Sequence, residues 1–230
     1  MKTLILIISV LLNIAACSAY DDNKIAQKVI PYEYAGQNDT LMNFEGDREG
    51  QVPSGFSTAA TGSPKDVKWN IVNDNSNKVV AQLALNSGSC YNLLILDKIG
   101  YENFSVSVKI KAVSGKEDQG GGLVWRYIDK NDYYIARYNP LENNFRLYRV
   151  VGGNRKQLES VDSKIKQGEW FTMTIEMKDG KIICSLNGEQ LIETTDYTFK
   201  SAGLIGLWTK ADAITYFDDL KISPVIKKYQ

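Results

Sequence analysis

From about Leu41 to Ile222 the chain is built of short strand-like runs, and in several of them every second residue is apolar. Phe104, Val106, Val108 and Ile110 form one such series, and Phe171, Met173, Ile175 and Met177 another. Successive side chains of a β-strand point to opposite faces, so a period of two marks a strand with one buried face. Runs of this kind are read at 67–73, 79–86, 91–97, 103–113, 121–128, 133–138, 145–151, 169–177, 181–187, 189–194, 203–208 and 214–222. Asp179-Gly180 and Asn187-Gly188 separate three of them. Such dipeptides suit two-residue hairpins, whose central residues both need positive φ. No apolar stripe at helical spacing follows the N-terminal segment. Many short strands without helices give a sandwich or a barrel, and this number exceeds an immunoglobulin-type domain. The expected fold class is all-β: a jelly-roll β-sandwich of two antiparallel sheets over 41–224, with a short tail at 225–230.

The N-terminus follows a different rule. Lys2 precedes an apolar run from Leu4 to Leu12, too short to span a bilayer, and Ile14-Ala15-Ala16-Cys17 follows it. This arrangement resembles the lipobox of bacterial lipoproteins. The resemblance implies a signal peptide at 1–16, lipidation of Cys17, and a tether at 17–40. The protein would then be exported and lipid-anchored in the bacterial cell envelope, facing the periplasm or the outer membrane. The alternative is ordinary cleavage near Ala19, with Cys17 lost. Lipidation would leave Cys90 and Cys184, either as a disulfide or as two buried thiols.

Charge and composition remove several function classes. The 27 Lys and Arg balance the 27 Asp and Glu, so no basic excess exists to neutralise a phosphate backbone, and nucleic acid is not an expected partner. The chain has no histidine. Ser-His-Asp and Cys-His nucleophile systems and His-bearing zinc sites are therefore excluded. A protein that binds without cutting loses nothing by this, and no cofactor is required.

Residues 120–153 hold the densest aromatic and arginine content. A loop at Asp129–Asp132 sets Tyr127 opposite Tyr134 and Arg126 opposite Ile135. A loop at Asn139–Asn144 sets Tyr138 opposite Phe145 and Arg137 opposite Arg146. One face then collects Leu123, Trp125, Tyr127, Tyr134, Ala136, Tyr138, Phe145 and Leu147, and reads as core. The other carries Arg126, Arg137, Arg146, Tyr133 and Tyr148 among Val124, Ile128, Ile135 and Val150. Two arginines directly opposite repel each other. Either nearby carboxylates such as Glu142 or Asp132 (or plain solvent) offset this, or a ligand does. Aromatic rings offer flat surfaces to sugars, and guanidinium forks suit hydroxyl and carboxylate oxygens. These five residues are the candidate ligand contacts.

Asn43-Phe44, Pro53-Ser54-Gly55-Phe56, Trp69, Gly121 to Tyr127, Asn131 to Arg137, Asn144 to Tyr148, Gly168-Glu169-Trp170, Leu186-Asn187-Gly188, Gly203 to Asp212 and Phe217 to Leu220 together carry a resemblance. They resemble the concanavalin A-like lectin/glucanase superfamily, and within it the bacterial laminin-G-like domains related to the 3-keto-disaccharide hydrolase group. That resemblance implies a glycan or polysaccharide partner. Retaining glucanases of this superfamily place alternate carboxylates on one strand about 5–5.5 Å apart. No such motif occurs here, and Glu169 and Glu176 differ in parity. The resemblance also suggests a structural calcium at Asp218 and Asp219, with Asp212 and Asp47 as companions, although turn capping accounts for the same residues. The expectation is a cell-envelope lipoprotein with a non-catalytic glycan-binding sandwich. The alternatives are a keto-glycoside hydrolase or lyase, and a protein–protein interaction module.

Overall fold

The structure is a computed structural model and describes residues 33–34 and 38–225. The signal peptide, Cys17, most of the tether and residues 226–230 lie outside the described residues. Strands are numbered in chain order. One sheet runs β12 (Asn154–Asp162), β11 (Asn144–Val151), β10 (Asp132–Asn139), β9 (Gly121–Asp129), β16 (Leu204–Lys210), β6 (Tyr91–Leu96) and β3 (Phe56–Thr61). The other runs β15 (Glu189–Thr195), β14 (Lys181–Leu186), β13 (Trp170–Lys178), β8 (Phe104–Ser114), β17 (Ile214–Pro224), β5 (Asn77–Gln82) and β4 (Trp69–Asp74), with β2 (Thr40–Met42) also on β17. Pairing within both sheets is antiparallel, and β1 (Glu33–Tyr34) and β7 (Ile99–Gly100) make a separate parallel pair. This is the jelly-roll sandwich expected from the strand pattern.

The core between the sheets is filled by Trp69, Trp125, Phe104, Phe145, Phe217 and the inward aliphatic residues of β8 and β13. Burial of each such side chain contributes about 1.5–3 kcal/mol, so the sandwich needs no disulfide. Cys90 and Cys184 are both buried free thiols. The two hairpin dipeptides behave as their chemistry requires: Asp179 and Gly180 have φ of 49° and 85°, and Asn187 and Gly188 of 50° and 82°.

The two sheets differ in burial. On β8 and β13 buried residues alternate with partly exposed ones, because the outer face meets solvent. On β6 all six residues are buried, and β10 is buried from Tyr133 to Asn139. Strands covered on both faces read as continuous apolar runs. Covering the outer face of β6, β9, β10 and β16 is a second apolar cluster: Tyr91, Leu93, Ile95, Val124, Tyr133, Ile135, Tyr148, Val150, Leu204 and Trp208.

Two strands escape the alternation rule. β3, Phe-Ser-Thr-Ala-Ala-Thr, has only small and hydroxyl side chains after Phe56. β12 is an edge strand with few apolar residues, and most of it is exposed. A half-solvated edge needs no apolar stripe, and charge on it discourages pairing with other chains.

Candidate functional site

The β10–β11 register is the one the loop lengths predict. Tyr138 faces Phe145 and Arg137 faces Arg146. Glu142, on the intervening loop, settles the repulsion between the two guanidiniums. Its Oε2 accepts from Arg137 Nη2 at 3.0 Å, Arg146 Nη1 at 2.9 Å and Asn144 Nδ2 at 2.9 Å. Arg137 also donates to Asn144 Oδ1 at 2.8 Å and to the Tyr148 hydroxyl at 3.4 Å, and is 2% exposed. Burial alone would raise the Glu142 carboxyl. The hydrogen bonds from Asn144 and Arg137 and the charges of Arg137 and Arg146 overcome that and hold it at about 2.

The β9–β10 register departs from expectation. Asp132 faces Asp129, but Tyr134 faces Trp125 instead of Tyr127. Two extra residues in β9 form a bulge, and Arg126 within it has φ of 49°. Within the bulge the left-handed Arg126 breaks the side-chain alternation of β9. Tyr127, expected in the core, instead packs with the second cluster and stacks on Tyr133 at 6.1 Å. Burial pushes its hydroxyl up to about 12.

The bulge also removes Arg126 from the ligand contacts. Its guanidinium donates to the carbonyls of Lys200 (2.8 Å), Ser201 and Glu102 (2.7 Å), and the residue is 2% exposed. Arg126 therefore clamps two loops at one end of the sandwich. Tyr133 is also corrected: it is fully buried, with its hydroxyl 2.6 Å from Thr61 Oγ1. Arg137, Arg146 and Tyr148 do share the outer face, and Glu142 joins them.

Several residues of this face carried no signal of their own. Arg155, on β12, lies with its guanidinium carbon 4.4 Å from the Tyr148 ring centroid, 5.1 Å from Tyr91 and 5.9 Å from Trp208. Five strand spacings separate β12 from β6, which is about 24 Å in a flat sheet. An arginine cannot reach that far, so the sheet must be strongly concave. Bulges at Leu147/Tyr148, Asp132/Tyr134 and Leu204/Gly206 supply bending. Beside this aromatic box is a second polar group. Asp118, 2% exposed, accepts from Asn139 Nδ2 at 3.2 Å and pairs with Lys210 Nζ at 3.2 Å. Burial raises its carboxyl against the nearby charges of Arg137 and Lys210.

The four carboxylates considered for calcium are each engaged separately. Asp212 accepts the backbone N–H groups of Lys116, Glu117 and Asp118, Asp47 accepts from Ser54, and Asp219 pairs with Lys109 at 2.7 Å. Asp218 accepts from Asn77. Among the described residues no three potential metal ligands stand together. The Asp residues do the turn-capping and pairing work that competed with the metal reading.

The sequence matches the 3-keto-alpha-glucoside-1,2-lyase-like domain over residues 43–223. The chain belongs to that family. Its fold is shared with solved structures of low identity. The carbohydrate binding module CBM66 from Bacillus subtilis is 16% identical with a TM-score of 0.60, covering 73% of this chain and 94% of that one. Domain 4 of AbnA, a GH43 extracellular arabinanase from Geobacillus stearothermophilus, in complex with arabinotriose, is 14% identical with a TM-score of 0.53, covering 80% and 90%. A Bacillus subtilis protein of unknown function with a galectin-like fold is 10% identical with a TM-score of 0.55, covering 75% and 90%. No curated protein matches the sequence. The concanavalin A-like assignment of the family thus agrees with the sandwich, and its concave sheet is the one that carries the aromatic box.

Proposed function

We propose that this domain binds glycans at the cell envelope and holds them without cleaving them. Cys17 would carry the lipid anchor that keeps it there. The contact surface is the concave face of the β12–β3 sheet, through Arg146, Glu142 and Lys210, whose side chains reach solvent over the buried rings of Tyr148, Tyr91 and Trp208. The observation that carries the reading is the convergence of these partly exposed charged groups on one curved face. Directed donors and acceptors fixed in place are what recognition of sugar hydroxyls needs. The resemblance to a carbohydrate binding module and to a domain complexed with arabinotriose supports it. Titration of the purified domain against a panel of envelope and plant polysaccharides tests it. Binding that falls at least tenfold in Arg146→Ala, with the protein still folded, is the expected result. Absence of any glycan binding defeats it.

A second reading, processing of a keto-glycoside, draws on family membership and on one pair of groups. Asp118 and Glu142 flank Arg137, and their environments push the two carboxyls in opposite directions. Release of a monosaccharide from a 3-keto-glucoside by the purified wild type, absent in Asp118→Asn, would decide for it.

A further inference from the structure

Between β8 and β9 the chain runs Gly115-Lys116-Glu117-Asp118-Gln119-Gly120, without one apolar side chain. No hydrophobic anchor of its own holds this segment down. Asp212 holds it from outside, where its carboxylate accepts the backbone N–H groups of Lys116, Glu117 and Asp118. Glu117 in turn accepts the Gly88 N–H at 2.6 Å. A segment fixed by hydrogen bonds that are mostly open to solvent sits at the low end of local stability. Both of its ends are glycines with φ that other residues rarely adopt, 149° at Gly115 and 73° at Gly120.

The segment turns one carboxylate inward. In the register of β16, β9 and β10, Trp208 and Arg137 both face Gly122, so Lys210 and Asn139 flank Gly120. No side chain rises from the start of β9 between them, because residues 120–122 are all glycine. Asp118 fills that gap. Its two oxygens accept from Asn139 Nδ2 and Lys210 Nζ, each at 3.2 Å, and the charge of Arg137 is close by. A donor set above a glycine floor is thus occupied by the protein's own acid. The closure is imperfect. Both contacts are at the long limit for a hydrogen bond, and burial raises the Asp118 carboxyl in spite of Arg137 and Lys210. Next to it, Gln119 Oε1 is buried without a hydrogen-bond partner. Both groups would regain water if the segment swung out, which offsets part of the cost of opening.

We propose that residues 116–119 form a strap, hinged at Gly115 and Gly120, that closes the Lys210–Asn139–Arg137 donors with Asp118 and swings out to admit a glycan to them. This rests on the glycan-binding reading and adds a gate to it. Arg146 and Glu142 reach solvent with the strap closed and meet the glycan first. A ligand that needs the open form binds with an affinity scaled by the open fraction, so loosening the strap tightens binding.

Amide hydrogen exchange and glycan titration on the same proteins test it. In wild type the N–H groups of Lys116, Glu117 and Asp118 should exchange at least about tenfold faster than those inside β8 and β9, through an opening that low urea hardly affects. Asp118→Ala withdraws the inward carboxylate, and Asp212→Asn weakens the outer hold. Each should speed strap exchange further, leave exchange within β8 and β9 unchanged, and tighten glycan binding by at least about threefold. Lys116→Gln, which keeps both holds, should change neither reading. Strap amides that exchange only together with β8 and β9 overturn the strap. Faster strap exchange in both variants with glycan affinity unchanged or weaker overturns the gate and leaves the glycan reading standing. Binding of no glycan by wild type or by either variant defeats the glycan reading and the gate with it.

Discussion

Replacing Glu142 by Gln tests the charge bookkeeping of the concave face most directly. In the folded protein one carboxylate oxygen serves Arg137, Arg146 and Asn144. Its carboxyl is lowered from 4.5 to about 2. At face value that drop corresponds to roughly 3 kcal/mol. The Glu142 side chain is 42% exposed, however, so solvent screens the pair and about 1–2 kcal/mol is the realistic share. Gln retains an acceptor oxygen but leaves the Arg137 and Arg146 charges facing each other uncompensated. At pH 7, Glu142→Gln is expected to lower stability by about 1–2 kcal/mol in urea denaturation, or Tm by roughly 3–7 °C. The folded pKa is depressed, so the stabilisation is fully present above pH 4.5 and is lost as pH falls toward about 2. The gap between wild type and variant should therefore be full at pH 7 and narrow steadily below pH 4.5. In an Arg146→Gln background the cost of Glu142→Gln should be smaller, because one of the two opposed charges is gone. A gap below about 0.3 kcal/mol at pH 7, or one that stays constant down to pH 2.5, would refute the reasoning.

Other perturbations separate scaffold from site. Arg126→Ala should cost about 2–4 kcal/mol by stripping the donors from the carbonyls of Glu102, Lys200 and Ser201, while the folded fraction keeps its glycan affinity; a binding loss without a stability loss would restore Arg126 to the contact face. Gly122→Ala should fold poorly or lose more than about 2 kcal/mol in a thermal melt, because a Cβ there would lie 1.8 Å from the Ala136 carbonyl oxygen. Cys184 is fully buried, and burial pushes its thiol up, so a thiol-specific dye should label it only after denaturant is added; labelling of the native protein at the rate of a free thiol would contradict the core packing.

The local chemistry of this chain was legible without coordinates. Period-two alternation located β8 and β13, and the Asp-Gly and Asn-Gly pairs marked the β13–β14 and β14–β15 hairpins, because turn geometry and side-chain parity are nearest-neighbour properties. The β10–β11 register followed from the length of one loop, and with it the opposed arginines and the need for a counter-charge that Glu142 meets. Tertiary structure decided the rest. A bulge with a left-handed Arg126 broke the alternation of β9 locally, moved Tyr127 out of the core and turned Arg126 into a clamp, and no pattern of residue types announces two extra residues in a strand that is apolar on both faces. Arg155 stayed invisible because β12 is an edge strand whose half-solvated pattern resembles a loop, and its partners Tyr91 and Trp208 are dozens of residues away in sequence. Sequence determined which strands exist and which neighbours pair. Only the curvature of the finished sheet, set by bulges and by packing against the other layer, decided which side chains from distant strands meet on the concave face.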